Sequence, residues 1–210
     1  MTSPIFLDEM TPDGSVVNTL AIASPAGAAS TNGLVTSFPS KSELGLHLSP
    51  DGSRPTFMGY LAPINTLDVS NSNAPNHVDS TNPVASIYQR AIGEVDPSGN
   101  LLVTPVNSYS GNNGREALLA NGHYYIVGNA GNGSGDGLTL SMLSDNTGVQ
   151  MIARGDSGET TVVGQANGAF GSVGRLVGHR VEHVPGGERS GVRVWARRAS
   201  ADRDSDRSSG

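Results

Sequence analysis

An all-β chain is what this sequence predicts, and three observations carry the prediction. Gly supplies 28 of 210 residues while aromatic residues are 5% and charged residues 15%. That mixture suits short strands and turns, and it disfavours helices, whose interiors exclude Gly and prefer Glu, Lys and Ala. Hydrophobic runs come in pairs separated by tight-turn sequences: Thr11-Pro12-Asp13-Gly14, Ser49-Pro50-Asp51-Gly52, Pro97-Ser98-Gly99-Asn100 and Asn121-Gly122. The turn glycines Gly14, Gly52, Gly99, Gly122 and Gly148 recur so that two hairpins make a unit of about 45 residues, the period of a four-stranded propeller blade. The fold expected is therefore a partial or minimal β-propeller of four-stranded antiparallel blades over residues 1–163, followed by an atypical, largely disordered tail over 164–210. An irregular β-sandwich is the alternative.

Each element has a local reason. Ile5-Phe6-Leu7 reads as a strand, and Ser15 to Ile22 as its partner across Pro12-Asp13-Gly14, where proline presets φ and glycine accepts the positive φ that follows. Ala23 to Asn32 is small and polar and reads as a connection. Leu44 to Leu48 and Thr56 to Leu61 form a second hairpin, with Leu46 and Leu48 alternating against Gly45 and an outward His47. Ala91 to Val95 and Leu101 to Val106 form the third. Glu116 to Leu119 and Tyr124 to Val127 form the fourth, and Asn-Gly between apolar runs is the strongest short-range hairpin signal because both central residues of a type I′ turn need positive φ. Val149 to Ala153 is a further strand. In the tail, Val173 to Val184 and Val192 to Trp195 could each hold a strand. Arg197 to Gly210 has no apolar period and cannot bury enough surface to offset its ordering entropy.

Charge divides the chain. Residues 1–150 carry four basic side chains against twelve carboxylates, a net of −8, and residues 151–210 carry nine against seven, a net of +2. An acidic body repels phosphates, so nucleic acid is not an expected partner. There is no cysteine, which excludes disulfides, thiolate catalysis and Cys-ligated zinc. No stretch approaches the roughly 20 apolar residues of a membrane span. The start, Met1 to Asp8, lacks the basic beginning and apolar centre of a signal peptide, so no export signal is read in the chain.

The segment Phe6 to Val17, the turn Leu48 to Gly52 followed by Met58-Gly59-Tyr60, and Ser110-Gly111-Asn112-Asn113 followed by Arg115 resemble a family of mostly uncharacterised, secreted, propeller-like bacterial proteins over roughly residues 5–160. The resemblance implies a β-propeller, and it implies a secreted protein. Family members are longer, and this chain departs from their pattern after about Val163. A ring that does not close within the chain leaves a homo-oligomer as one way to complete it.

Four patterns bear on chemistry. Asn132-Gly133-Ser134-Gly135-Asp136-Gly137 matches the first half of a calcium loop, but Leu143 stands where an EF-hand places its bidentate glutamate, so an EF-hand is rejected. A looser Ca²⁺ site would draw on oxygen donors in loops: Asn112, Asn113 and Asp136 are the chosen ligands, with Asp68, Asn71, Asn73 and Asn129 as further donors. The bland reading is that Asn and Asp populate turns because they tolerate left-handed backbone. For acid-base work, His77 has Asp79 two residues away and His123 follows the Asn121-Gly122 turn; a His-carboxylate pair can abstract a proton near neutral pH. His179 and His183 fall in the tail and are discounted. Asn112, Asn113 and Arg115 are the candidate ligand-binding residues. Gly155-Asp156-Ser157-Gly158 matches the nucleophile signature of trypsin-like proteases, but no histidine has its expected context and a turn explains the letters. Arg154-Gly155-Asp156 also spells an adhesion tripeptide, a pattern common by chance.

Two functions are expected from these readings. One is a hydrolase that opens a small lactone, with bacterial acyl-homoserine lactones as the substrate class, by attack of a water activated by Ca²⁺ and a nearby His or carboxylate; calcium-dependent propeller lactonases look like this in outline, a fold-level analogy. The other is a non-catalytic extracellular binding or adhesion module that takes a saccharide or a protein through its loop asparagines; the partner expected overall is a small-molecule ligand or saccharide.

Overall fold

The computed structural model describes residues 1–22, 33–37, 43–131 and 147–164, and the backbone of residues 193–198. These form twelve strands and one 3-10 turn at Val69–Asn71, with no α-helix among the described residues. None of their helices is long and apolar enough to cross a membrane.

The turn chemistry places the hairpins where expected. β1 (Thr2–Met10) and β2 (Val16–Ile22) close around Thr11, whose carbonyl accepts from Gly14 N at 2.9 Å. β3 (Gly33–Ser37), β4 (His47–Leu48) and β5 (Pro55–Ala62) follow. β6 (Arg90–Val95) and β7 (Leu101–Val106) close in the same way around Asp96. β8 (Gly114–Ala120) and β9 (His123–Gly128) meet at Asn121 and Gly122 with φ of 50° and 74°, the double positive value that a type I′ turn demands. β10 (Gly148–Ala153), β11 (Thr161–Gly164) and β12 (Arg193–Arg198) complete the set.

Eight strands make one continuous sheet in the order β12-β1-β3-β5-β6-β7, with β2 also on β1 and β4 also on β5. This sheet curls into a half-barrel. The second sheet is β11-β10-β9-β8, antiparallel throughout. The four-stranded unit expected for a propeller blade therefore occurs once; the remaining strands join a larger sheet, because β1 is long enough to pair with β3 at Thr2 to Pro4 and with β2 from Ile5 onward.

Several elements differ from the sequence reading. Leu44 to Leu48 yields only the two residues of β4, since Leu44 takes φ 63° and Gly45 turns aside to bridge Glu116. His47 does not face outward: its Nε2 lies 2.8 Å from Glu116 Oε2 with both side chains 13% exposed. No strand was expected at β3, which has neither an alternating pattern nor a neighbouring turn motif and owes its conformation to pairing with β1 and β5. β12 overlaps the strand expected at Val192 to Trp195 and pairs with β1 from Ile5 to Met10, so part of the 164–210 segment joins the first sheet. The expected connection at 23–32, the calcium-like loop at 132–137, the strand at 173–184 and the tail from 199 onward lie outside the described residues.

β5 and β6 are buried along nearly their whole length, as strands covered on both faces are, and they form a wall between two cores. Ala91 and Val95 join Ile5, Leu7, Ile22, Leu34 and Phe57 inside the half-barrel. Ile92 joins Met58, Tyr124, Ile126 and Ile152 between the sheets. By the two-residue period of a strand, Arg90 and Glu94 share the face of Ile92, so one buried face carries a cation and an anion on either side of an isoleucine. Gly93 points the other way, and a Cβ there would stand 2.5 Å from Phe57 Cζ and 2.9 Å from Leu34 Cδ2. Gly93→Ala is expected to lose about 1–3 kcal/mol by overpacking, read as a lower urea midpoint at unchanged slope.

Candidate functional site

His77, Asp79, Asn112 and Asn113 sit in loops near one end of the second sheet. Residues 63–89 connect β5 to β6 with only the 3-10 turn at Val69–Asn71 between them, and so long a connection is often a sign of function. Side chains hold it in place. Asn73 Oδ1 accepts from Asp79 N at 3.1 Å and from Asn82 Nδ2 at 3.2 Å, and Asn82 Nδ2 also donates to Asn71 O at 2.9 Å. Ser110, first residue of the Ser-Gly-Asn-Asn segment, accepts from Ala74 N at 2.9 Å and donates its hydroxyl to the His77 carbonyl. The specific-looking motif thus positions the loop that carries His77.

His77 does have a carboxylate partner, and it is Glu159. His77 Nε2 lies 2.9 Å from Glu159 Oε2, while Asn76 Nδ2 and Asn107 Nδ2 donate to Oε1 at 2.9 and 2.8 Å. Gln89 Nε2 in turn donates to Asn107 Oδ1 at 3.1 Å. Partial burial pushes the Glu159 carboxyl up, but hydrogen bonds from Asn107, Asn76 and His77 outweigh this and hold it at about 2. The pair is open to water, with His77 28% and Glu159 56% exposed at the side chain. Asp79, expected beside His77, accepts instead from Thr81 N at 2.8 Å and from its hydroxyl at 2.7 Å, a turn-capping role. Sequence gave no signal for Glu159, 82 positions away in the chain.

The other expected residues separate. His123 stands at the tip of the β8–β9 hairpin, its Nδ1 3.0 Å from Asn121 O, whereas Asn112 and Asn113 precede β8 at the opposite end. The length of β9 puts about 17 Å between those ends. Asn112 is engaged within the loop: its Nδ2 donates to Gly131 O at 2.7 Å and its Oδ1 accepts from Asn113 N at 2.9 Å. Asn113 O accepts from Asn129 N at 3.1 Å. Arg115 has a buried Nε without a hydrogen-bond partner. Ca²⁺ takes six to eight oxygens, amide carbonyls and carboxylates among them; the described part of the expected set is the two neutral amides Asn112 and Asn113, and the carboxylate of the set, Asp136, lies outside the described residues. Among the described residues no group of three or more His, Cys, Asp or Glu could hold a metal.

The remaining motifs resolve as turns. Gly155 to Gly158 forms the turn after β10, docked on β7 through Gly158 N to Pro105 O at 2.9 Å and Asn107 N to Gly158 O at 2.8 Å. In the Arg154-Gly155-Asp156 tripeptide, the Arg154 Nε and Nη2 both donate to Glu94, at 2.8 and 2.9 Å.

Away from this cluster, the half-barrel is open at the end formed by the β1–β2 ribbon and by the turns after β4 and β6. The half-open depression there has a volume of about 480 Å³, lined by Leu7, Leu20, Pro55 and Val95 together with polar residues such as Asn18 and Ser53. Compared with known proteins, the chain matches no family model, no curated protein and no solved structure.

Proposed function

We propose that the chain is a binding module for a small molecule held in the open end of the half-barrel. The observation that carries this reading is the opening itself: a concave site of about 480 Å³ lies within the range of small-ligand pockets, and barrel mouths are a recurrent place for them. The loop asparagines support it indirectly. Asn73 and Asn82 bond to backbone groups of their own loop and Asn112 to the Gly131 carbonyl beyond β9, which ties these loops together and leaves recognition to the opening. Saturation-transfer NMR against a mixed panel of oligosaccharides and small amphiphiles tests it. Saturable transfer to at least one class is expected, abolished by a bulky charge at the floor in Leu20→Glu; a panel with no saturable member would refute the reading.

One observation favours a second reading, hydrolysis of a small lactone. The His77–Glu159 pair has the form in which a carboxylate fixes an imidazole so that its other nitrogen can take a proton from water. On that reading His77 is the base, Glu159 orients it, and Asp79 and His123 have no part. Acyl-homoserine lactone is the substrate to try, with and without EDTA, the chelator arm testing calcium at Asn112, Asn113 and Asp136. Ring opening above a boiled control, lowered at least tenfold by His77→Ala, is the expected outcome; a rate equal to the control removes the reading for that substrate. The resemblance to secreted propeller-like proteins belongs with either function, the β8–β11 sheet standing as one blade.

A further inference from the structure

The walls of the half-barrel opening are chemically one-sided. Leu7 and Val95 on its floor are 4% and 6% exposed and belong to the half-barrel core, so an apolar group entering there would extend an existing core. Glu9 and Asp96 stand among the lining residues, which include no Lys or Arg among the described residues. Asp96 is held as an anion: Asn100 Nδ2 and the amides of Asn100 and Ser98 donate to it at 3.0, 2.8 and 2.8 Å. Arg54, the cation that acts on Asp96, is engaged by the buried Glu94, its Nη1 2.7 Å from Oε1. In the register of β1 with β12, Leu7 and Glu9 stand opposite Ala196 and Val194, Arg197 and Arg193 stand opposite Phe6 and Met10, and Arg198 stands opposite Ile5, two residues before Leu7.

We propose that the opening selects a cationic amphiphile, a short alkyl chain carrying an ammonium head, with the chain on Leu7, Leu20 and Val95 and the head between Glu9 and Asp96. The inference rests on the binding reading above and adds the ligand's charge. Apolar burial supplies attraction without choosing a head group. The two carboxylates supply the choice, because a like charge brought against them is repelled while an ammonium is attracted.

The test titrates the ¹⁵N-labelled chain with octyltrimethylammonium, octanoate and octyl glucoside, each below its micellar concentration. The ammonium is expected to shift the amides of Leu7, Leu20, Val95 and Asp96 and to bind at least fivefold more tightly than octanoate. Glu9→Gln, at the edge of the opening, is expected to weaken the ammonium by about threefold to fivefold and leave the glucoside unchanged. Octanoate or octyl glucoside binding the same amides as tightly as the ammonium would overturn the charge inference while leaving the opening as a site. Amides that move with none of the three would overturn both this inference and the binding reading on which it rests.

Discussion

Arg90→Ala is expected to destabilise the protein by about 4 kcal/mol or more, enough to leave a typical domain marginal or unfolded. Arg90 is fully buried, and its guanidinium serves five backbone carbonyls: Nη2 donates to Ser72 O at 2.8 Å, Asn112 O at 2.7 Å and Ser70 O at 3.1 Å, and Nη1 to Tyr88 O at 3.0 Å and Asn73 O at 3.2 Å. The Tyr60 ring lies against it at 5.6 Å. Burial lowers the guanidinium to about 10, which still leaves it cationic at neutral pH. Removing it strands carbonyls from three separate segments and opens a cavity, and each stranded buried group costs about 1–3 kcal/mol. With the further bond from Nε to Asn112 O at 3.3 Å, Arg90→Lys supplies three donors where six bonds are made, and about 2–3 kcal/mol is its expected loss. Urea unfolding measures both, and hydrogen exchange should locate the damage in the 70–73 and 107–113 loops. An Arg90→Lys variant of native stability would refute this account.

Glu94→Ala is the second large expected effect, about 3 kcal/mol. Glu94 is 1% exposed and accepts from Arg54 Nη1 at 2.7 Å, from Arg154 at 2.8 and 2.9 Å and from Tyr124 OH at 2.5 Å. These partners come from both sheets, so the carboxylate joins them. Arg54 and Arg154 are 31% and 41% exposed at the side chain and can turn to water when Glu94 is gone, which keeps the loss at the low end for a broken buried pair. Burial pushes the Glu94 carboxyl up, but the hydrogen bonds from Arg154, Tyr124 and Arg54 bring it below its ordinary value. A carboxyl lowered by folding stabilises the native state above the unfolded value of about 4.3 and loses that contribution as pH falls through the folded value. The stability of Glu94→Gln should therefore be less sensitive to pH below about 4.3 than that of the unmodified chain. Identical acid profiles would contradict this assignment.

Both buried charges had a signal in the sequence. Arg90-Ala91-Ile92-Gly93-Glu94-Val95 sets two charges at alternate positions of an apolar strand, which places them on one buried face if the strand is covered on both sides. The hairpins were legible for a simple reason: Asp13-Gly14, Asp51-Gly52 and Asn121-Gly122 fix backbone geometry within four residues. The His77–Glu159 pair was not legible, nor was His47–Glu116, since their partners lie 82 and 69 positions apart and neither glutamate sits in a recognisable motif. The propeller expectation took recurring turns as recurring blades. Turn spacing reports where a chain reverses, and it carries no information about which edge the next strand joins.

What the sequence determined by itself was local: an all-β chain, its turns and most of its strands, because φ preference and two-residue alternation act over a few neighbouring residues. Only the tertiary structure decided that β1 would bridge β3, β2 and β12 into a curled eight-stranded sheet, that Glu159 would pair with His77, and that Glu9 and Asp96 would line one opening. Those outcomes depend on pairing between distant segments, where the free energy lies in packing and buried hydrogen bonds that no local pattern encodes.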